Sequence, residues 1–135
     1  MAPIKVLIAD DDEDILNLVK VALLAEKYEI VLARNGSEAV DRAREEQPNL
    51  ILMDVEMPRM SGLEACRALR ADPGLKSVPV IMLTSRSSEK DIMRGFQDGA
   101  HDYITKPFSL SHLRARVRIW LLRSGQVPED APPEE

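Results

Sequence analysis

"LILMDVEMP", residues 50–58, decides how the fold is interpreted. Four apolar residues are followed directly by a carboxylate, Asp54, and Pro58 comes shortly after it. A continuous apolar run of this length is typical of a strand that is buried on both faces of a sheet. A lone acid after such a strand is ordinarily a turn or capping residue. The stretch therefore predicts a buried strand and leaves open whether Asp54 only ends it or carries chemistry.

Short apolar runs of strand length alternate with longer segments in which apolar residues recur at helical spacing. Near-continuous apolar strands separated by helices predict a parallel sheet covered on both faces, with right-handed crossovers. The expected fold is therefore a doubly wound α/β domain. The predicted strands are 4–9, 29–33, 50–53, 78–83 and 102–105.

Length and composition favour one compact globular domain. The chain has 135 residues, of which 44% are hydrophobic and 30% charged, and this is enough to bury a core without cross-links. The folded domain is predicted over residues 1–124, and the proline-rich, acidic stretch 125–135 is predicted to be a disordered tail or linker. The single cysteine, Cys66, excludes an internal disulfide and is predicted to be a buried, inert thiol.

Charge and hydropathy argue against several classes of partner. The net charge of −5 disfavours binding of nucleic acid or anionic membranes through a general basic field. No segment approaches the roughly 20 apolar residues of a membrane span, and the first apolar run ends in acids rather than in a signal-peptide cleavage site. We therefore expect a cytoplasmic protein that contacts neither membranes nor nucleic acid through this domain.

Polar residues follow four of the predicted strands. In an open parallel sheet, ligands bind outside the carboxyl ends of the strands, so these residues are expected to meet at one edge of the sheet. They are Asp10, Asp11 and Asp12 after the first strand, Asp54 after the third, Thr84 after the fourth and Lys106 after the fifth.

This set of residues points to phosphoryl chemistry. Converging carboxylates repel one another unless a cation neutralises them, and a hard divalent ion is the natural partner. Carboxylates alone would leave Ca²⁺ open, but a hydroxyl and an ammonium, from Thr84 and Lys106, suit the oxygens of a phosphoryl group. Mg²⁺, which readily shares its shell with phosphates, then fits best. Asp54 is the candidate nucleophile, because an aspartate can attack phosphorus and carry an aspartyl-phosphate.

Four segments together resemble one family, the receiver domains of bacterial two-component response regulators. "VLIADDDEDI" resembles the acidic-pair segment of that family, "LILMDVEMPRMSG" its phosphoacceptor segment, "VIMLTS" its hydroxyl segment and "GFQDGAHDYITKPF" its Lys-Pro segment. The resemblance extends from residue 4 to about residue 122. It implies a flavodoxin-like five-stranded sheet with strand order 2-1-3-4-5. It also implies a signalling domain that catalyses only its own aspartyl phosphorylation and dephosphorylation.

The resemblance assigns roles to individual residues. It implies that a histidine kinase or phosphotransfer protein donates the phosphoryl group to Asp54 with Mg²⁺ present. Partner affinity or oligomeric state would then change through the fourth helix, the fifth strand and the last helix. A cis peptide bond is implied before Pro107. The implied metal ligands are Asp11, Asp54, the backbone carbonyl of Glu56 and, through water, Asp10; Thr84 and Lys106 contact the phosphoryl group, and Thr84 and Tyr103 form the switch.

Glu56 and Arg86 form a candidate tuning pair. They lie two residues beyond Asp54 and Thr84, at positions that in the resembling family tune the lifetime of the phosphate. Their opposite charges lead to the hypothesis of an ion pair across the mouth of the site, which would restrict the access of water or of the phosphodonor.

The last predicted helix, "SLSHLRARVRIWLLR", has two apolar faces. One face is expected to pack in the core, and the other has no evident internal partner. Exposed apolar stripes usually mark contacts, so this helix is predicted to bind a second receiver, an output domain or a target protein. The core face holds Leu110, Leu113, Val117 and Leu121; the partner face holds Ala115, Ile119 and Leu122, flanked by Arg114 and Arg118, which could pair with acids of the partner.

Several other polar and sulfur-containing residues have simpler interpretations. Residues 12–14 are expected to cap the first helix rather than bind metal, and Ser109 is expected to cap the last. His101 and His112 are predicted to be exposed polar residues. Met53, Met60, Met82 and Met93 are interpreted as fillers of gaps in the core.

Two other classes of function were weighed as alternatives. A Mg²⁺-dependent phosphatase or phosphotransferase could act on an external substrate through an aspartyl-phosphate. It is disfavoured by an acidic pair on a separate strand and by the lack of an obvious cap domain. A flavodoxin-like cofactor binder would need a phosphate-cradling loop after the first strand, where residues 10–12 would repel the anion. The sequence does not indicate the cognate kinase, the output or whether the chain is a stand-alone receiver.

Overall fold

The fold is the doubly wound α/β domain that the sequence predicts. The computed structural model describes residues 3–86 and 88–126. They form a five-stranded parallel sheet in the order β2-β1-β3-β4-β5, with helices on both faces. In chain order the elements are β1 (Lys5–Ala9), α1 (Glu13–Leu24), β2 (Glu29–Ala33), α2 (Gly36–Glu46), β3 (Leu50–Met53), α3 (Gly62–Ala71), β4 (Val80–Thr84), α4 (Glu89–Gln97), β5 (Asp102–Thr105) and α5 (Leu110–Arg123).

One strand boundary differs from its prediction in a way that matters for the site. The fourth strand spans Val80–Thr84 instead of 78–83. Pro79 has no N–H to give to the ladder and contributes only its carbonyl, which accepts a hydrogen bond of 3.0 Å from the Ile51 N–H. At the other end the strand runs one residue further, because the Thr84 carbonyl accepts a 2.7 Å bond from the Lys106 N–H. Thr84 is therefore held inside the sheet ladder.

Two apolar layers, one on each face of the sheet, make up the core. All four residues of β3 are fully buried, and they alternate between the layers. Ile51 and Met53 pack with α2 and α3, whereas Leu50 and Leu52 pack with α1 and α5. This double burial confirms the interpretation of the apolar run as a central strand. Cys66 lies within the first layer at 0% exposure, as predicted.

Helix caps fix where the chain enters each helix. The Asp12 carboxylate accepts from the Asp14 N–H at 2.9 Å at the start of α1, and the Ser109 hydroxyl accepts from the His112 N–H at 3.1 Å at the start of α5. Both caps agree with the predictions. Glu13, next to the first cap, forms an ion pair with Arg34. Acids in this first turn thus serve the helix, as expected.

Most residues of helix α4 are exposed to solvent. Gly95 is its single buried residue, while Met93 is 54% exposed and Phe96 is 45% exposed. The prediction that Met93 fills a gap in the core was therefore wrong, because α4 turns this side chain towards solvent.

Asp102 joins β5 to α5. This carboxylate is 9% exposed. Its Oδ2 accepts hydrogen bonds from Trp120 Nε1 at 2.9 Å and from Arg116 Nη1 at 3.1 Å, and its Oδ1 accepts from the Tyr103 N–H at 2.8 Å. The buried charge is thus both paired and hydrogen-bonded, as a buried charge must be.

Among the described residues, no helix is long and apolar enough to cross a membrane.

Candidate functional site

Asp54 lies at the end of β3, at the centre of the carboxyl edge of the sheet. Its N–H donates to the Ala9 carbonyl at 2.9 Å, so the backbone is held by the neighbouring strand. The residue is only 7% exposed, and its Oδ1 accepts from the Glu56 N–H at 3.4 Å. A buried strand end and a backbone donor therefore orient this carboxylate.

Two more carboxylates reach the same point from the end of β1. Asp10 is 1% exposed; its N–H donates to the Ala33 carbonyl at 3.1 Å, and its Oδ1 accepts from the Asp12 N–H at 3.0 Å. Asp11 is exposed. Carboxylate oxygens of Asp10, Asp11 and Asp54 lie within 4.8 Å of one another. This cluster of hard oxygen ligands fits a small divalent cation such as Mg²⁺.

Lys106 brings one positive charge to the cluster from the end of β5. Its Nζ lies 2.7 Å from Asp10 Oδ2 and 3.5 Å from Asp54 Oδ2. The peptide bond to Pro107 is cis, as the sequence resemblance implies. The structure thus brings the acidic pair Asp10 and Asp11, the nucleophile candidate Asp54 and Lys106 together from the ends of three different strands.

The charges in the cleft do not balance. Burial, followed by the charge of Asp10, raises the pKa of Asp54 to about 6 even though Lys106 and the Glu56 N–H oppose the change. Burial alone would lower the pKa of Lys106, but its hydrogen bond to Asp10 and the charge of Asp54 raise it instead. With three carboxylates and one ammonium, the cleft keeps an excess of negative charge that a bound cation would offset.

Thr84, Arg86 and Tyr103 form a connected group beside the carboxylates. Thr84 is 1% exposed, and its Oγ1 accepts from the Arg86 N–H at 3.2 Å. The Tyr103 hydroxyl donates to the Arg86 carbonyl at 2.7 Å. Burial and then the charge of Asp91 raise the pKa of Tyr103, while the positive charge of Arg86 opposes that rise. The two predicted switch residues therefore meet at one loop.

The predicted ion pair between Glu56 and Arg86 is present. Arg86 Nε donates to Glu56 Oε1, and Arg86 Nη1 lies 3.7 Å from Asp91 Oδ1 on α4. Asp91 was not singled out in the sequence; the only signal for it is its place in the first turn of α4, behind the cap Ser88. The pair spans the loops after β3 and β4, and its effect on phosphate lifetime stays a prediction.

Gly62 allows the loop after Asp54 to close tightly. Its N–H donates to the Val55 carbonyl at 2.8 Å. A Cβ at this position would lie 2.0 Å from the Asp54 carbonyl oxygen, closer than any side chain tolerates. The tight passage into α3 thus rests on a backbone contact with the nucleophile candidate itself, which leaves room for glycine only.

The predicted partner face of α5 is exposed, but its arginines are already paired. Ile119 is 43% exposed and Leu122 is 42% exposed, and Ala115 is exposed beside them. Arg114 Nε and Arg118 Nη2 lie 3.7 Å and 3.1 Å from the carboxylate of Glu26, which follows α1. Both arginines are thus engaged within the chain, and their pairing with acids of a partner stays a prediction. On the core face, Leu110 is only partly buried, since it stands at the first turn of the helix.

The two histidines have different environments, and neither belongs to the site. His112 is exposed, as predicted. His101 is half-buried instead of exposed: its Nδ1 accepts from the Val80 N–H at 3.2 Å, and its ring meets the edge of Trp120 at 5.4 Å. Burial lowers the pKa of His101. It lies before β5, at the amino end of the strands, far from Asp54 in the sheet.

Comparison with known sequences identifies the same residues as one domain. A family model described as the response regulator receiver domain matches residues 6–118. The DNA-binding response regulator MtrA of Mycolicibacterium smegmatis is 38% identical over 126 residues, which cover 93% of this chain and 54% of that protein. The chain thus spans about half the length of the curated relatives it matches.

Solved structures agree with the sequence comparison. The chemotaxis protein CheY4 of Vibrio cholerae has a TM-score of 0.83 and 33% identity, covering 87% of this chain and 98% of that one. The receiver domain of sensor histidine kinase PA1611 from Pseudomonas aeruginosa, solved with a magnesium ion coordinated in its active-site cleft, has a TM-score of 0.82 and 29% identity, covering 89% and 98%. The fold, the converging carboxylates and the family match lead to one conclusion: this chain belongs to the response regulator receiver domain family.

Proposed function

We propose that the chain is a phosphorylation-controlled switch in which Asp54 accepts a phosphoryl group in the presence of Mg²⁺. The observation that carries the proposal is the meeting of the Asp10, Asp11 and Asp54 oxygens within 4.8 Å, with Lys106 Nζ 3.5 Å from the Asp54 carboxylate. An excess of carboxylates in a buried cleft is unfavourable without a cation, which supports a site adapted to bind one.

The transfer makes one bond and breaks one. An Asp54 carboxylate oxygen attacks phosphorus, and the bond from phosphorus to the nitrogen of a phosphohistidine donor breaks, leaving its electron pair on the imidazole. Negative charge on the transferred oxygens needs nearby positive groups. The Lys106 ammonium is placed for this role, and the Thr84 hydroxyl can donate to a second oxygen. We infer a histidine kinase or a phosphotransfer protein as the donor.

The residues present fit Mg²⁺ by their chemistry. Asp11 is exposed and available as a direct ligand, whereas Asp10 is already bonded to Lys106 and suits contact through water. Asp54 and the backbone carbonyl of Glu56 would complete the protein's share of the shell. Bound Mg²⁺ would supply charge neutralisation for the phosphoryl oxygens. The magnesium ion in the related PA1611 receiver domain supports this assignment.

The modified site would then act on partners through conformation. Phosphate must favour one conformer of the loop at Thr84 and Arg86 for the switch to operate. We infer that Tyr103 and the exposed face of α4, β5 and α5 carry the change to a second receiver, an output domain or a target protein. MtrA is described as DNA-binding, and it is longer than the region that matches this chain. A DNA-binding output domain is therefore one candidate partner. We expect the receiver domain to work in the cytoplasm.

The proposal is tested by phosphorylation with a small donor. Purified protein is incubated with phosphoramidate and Mg²⁺, and the acyl phosphate, which base and hydroxylamine cleave, is followed by phosphate-affinity electrophoresis. Wild type and Asp41→Asn, an exposed carboxylate on α2, are expected to be modified, whereas Asp54→Asn and samples with EDTA are not. Undiminished modification of Asp54→Asn would overturn the assignment. Sustained turnover of p-nitrophenyl phosphate dependent on Asp54 would instead support the phosphatase alternative.

A further inference from the structure

Gly95 stands where a helix would ordinarily carry another residue. It is the seventh of the nine residues of α4, and it is the one residue of that helix that is buried. Glycine weakens a helix interior because it loses more backbone freedom than any other residue. An isolated glycine is tolerated inside a helix at a cost relative to alanine, so the packing around it is informative.

The reason visible here is the ring of Tyr103. A Cβ built on Gly95 would lie 3.1 Å from both Cδ2 and Cε2 of that ring, tighter than ordinary van der Waals contact. Leaving aside the chain neighbours of Gly95 and the backbone of α4 itself, the two ring carbons are the described atoms nearest to this Cβ position, so the ring occupies the space that a side chain at residue 95 would need. The tyrosine thus rests directly on the backbone of α4.

The other end of the same ring reaches the site. The Tyr103 hydroxyl donates to the Arg86 carbonyl at 2.7 Å, and the Arg86 N–H donates to Thr84 Oγ1 at 3.2 Å. The Arg86 side chain binds Glu56 and Asp91, so the loop that receives the hydroxyl is held from both sides. Contact with α4 at the ring and with this loop at the hydroxyl together define one position of the side chain.

We propose that Gly95 is a positioning residue for the switch: its missing side chain creates the slot in which Tyr103 reaches the Arg86 carbonyl and Thr84. The inference rests on the proposed phosphorylation of Asp54, whose regulation it makes more specific. Gly95 touches none of the reacting groups. Filling the slot should therefore change how the phosphorylated state is transmitted without removing the chemistry.

The position of Tyr103 can be observed by fluorine NMR. The protein contains two tyrosines, so labelling with 3-fluorotyrosine gives two signals, and the one lost in Tyr103→Phe belongs to Tyr103. In Gly95→Val this signal is expected to move towards that of the free amino acid and to stop responding to beryllofluoride with Mg²⁺. Phosphorylation of Asp54 by phosphoramidate should remain at the extent of wild type. Gln97→Val, exposed on the same helix, controls for the helix propensity of valine.

A double-mutant cycle separates the slot from general damage to α4. Gly95→Ala should lower the urea midpoint when Tyr103 is present and raise it in the Tyr103→Ala background, where only the better helix propensity of alanine remains. An unmoved Tyr103 signal in Gly95→Val, or the same midpoint change in both backgrounds, would refute the inference. If wild type is not phosphorylated at all, the proposed function fails, whereas the cycle still decides the contact between Gly95 and Tyr103.

Discussion

Replacing Asp54 by asparagine should stabilise the metal-free protein, and the gain should depend on pH. Burial and the charge of Asp10 raise the pKa of Asp54 from 3.8 to about 6 in the folded state. An acid with a raised pKa contributes stability below its unfolded pKa and loses it as pH rises through the folded value. At 1.36 kcal/mol per pKa unit, the loss is at most about 3 kcal/mol between pH ~4 and pH ~6.

The measurement is urea unfolding of wild type and Asp54→Asn in EDTA across this range of pH. Comparing the two proteins at each pH cancels the other titrating groups, so the gap between their free energies of unfolding isolates Asp54. We expect the gap to widen in favour of Asp54→Asn from pH ~4 upwards and to reach a plateau of about 3 kcal/mol above pH ~6.5. Asp41→Asn removes the same charge from an exposed position and serves as the matched control.

The effect of Mg²⁺ on the free energies of unfolding of the two proteins provides a second test. A ligand that binds only the folded state stabilises it by about 2.7 kcal/mol at one hundred times its dissociation constant. Wild type should gain most of this stabilisation and Asp54→Asn much less, so saturating Mg²⁺ should narrow the gap at pH ~7. A gap that is constant with pH, or that favours wild type in EDTA, would show that the carboxylates of the cleft do not repel one another as the structure indicates.

Three further predictions concern other parts of the molecule. Asp102→Ala should lower the free energy of unfolding by about 2–4 kcal/mol in urea titrations, because it leaves the buried Trp120 N–H without its acceptor and removes a partly buried ion pair. Glu56→Ala and Arg86→Ala should each change stability little, since both side chains are about half exposed, yet each should shorten the lifetime of the aspartyl-phosphate in acid-quenched time courses. Unchanged lifetimes would refute the role of the pair. Ile119→Glu should retain the fold, which circular dichroism can check, and should abolish any association of the protein that beryllofluoride and Mg²⁺ induce in wild type, as measured by sedimentation. If the variant associates as strongly as wild type, this face of α5 is excluded as the contact.

The sequence predicts the fold well because its strands are short, apolar and separated by strong turn residues. All four residues of β3 are buried, so its apolar run has only one interpretation. The missing N–H of Pro79 is a local signal that β4 begins after it, but nothing in "VPVIMLTS" shows that Thr84 still lies inside the ladder. Hydrogen bonds to neighbouring strands decide such boundaries, and the local sequence does not contain those neighbours.

The carboxylates and the lysine of the site were predictable because they follow strands, whereas contacts between helices and loops were not. Asp54 and Lys106 could be placed at one edge from topology alone. His101 has no such rule: it is half-buried because Trp120, nineteen residues further along the chain, covers it. The arginines of α5 are paired with Glu26 for the same reason, since the packing of α1 against α5 brings distant residues together. Tertiary packing determines these environments, and a single sequence gives little sign of it.

The order of residues on β5 limits which insertions and deletions the chain can accept. Neighbouring residues of a strand point to opposite faces of the sheet. Asp102 thus meets Trp120 on α5, Tyr103 meets Gly95 on α4, and Lys106 reaches Asp10 a few positions later. One inserted residue would exchange the two helices as partners and displace the lysine at once. In this segment, therefore, a substitution disturbs the contacts of one residue, whereas a change of length disturbs several contacts at once.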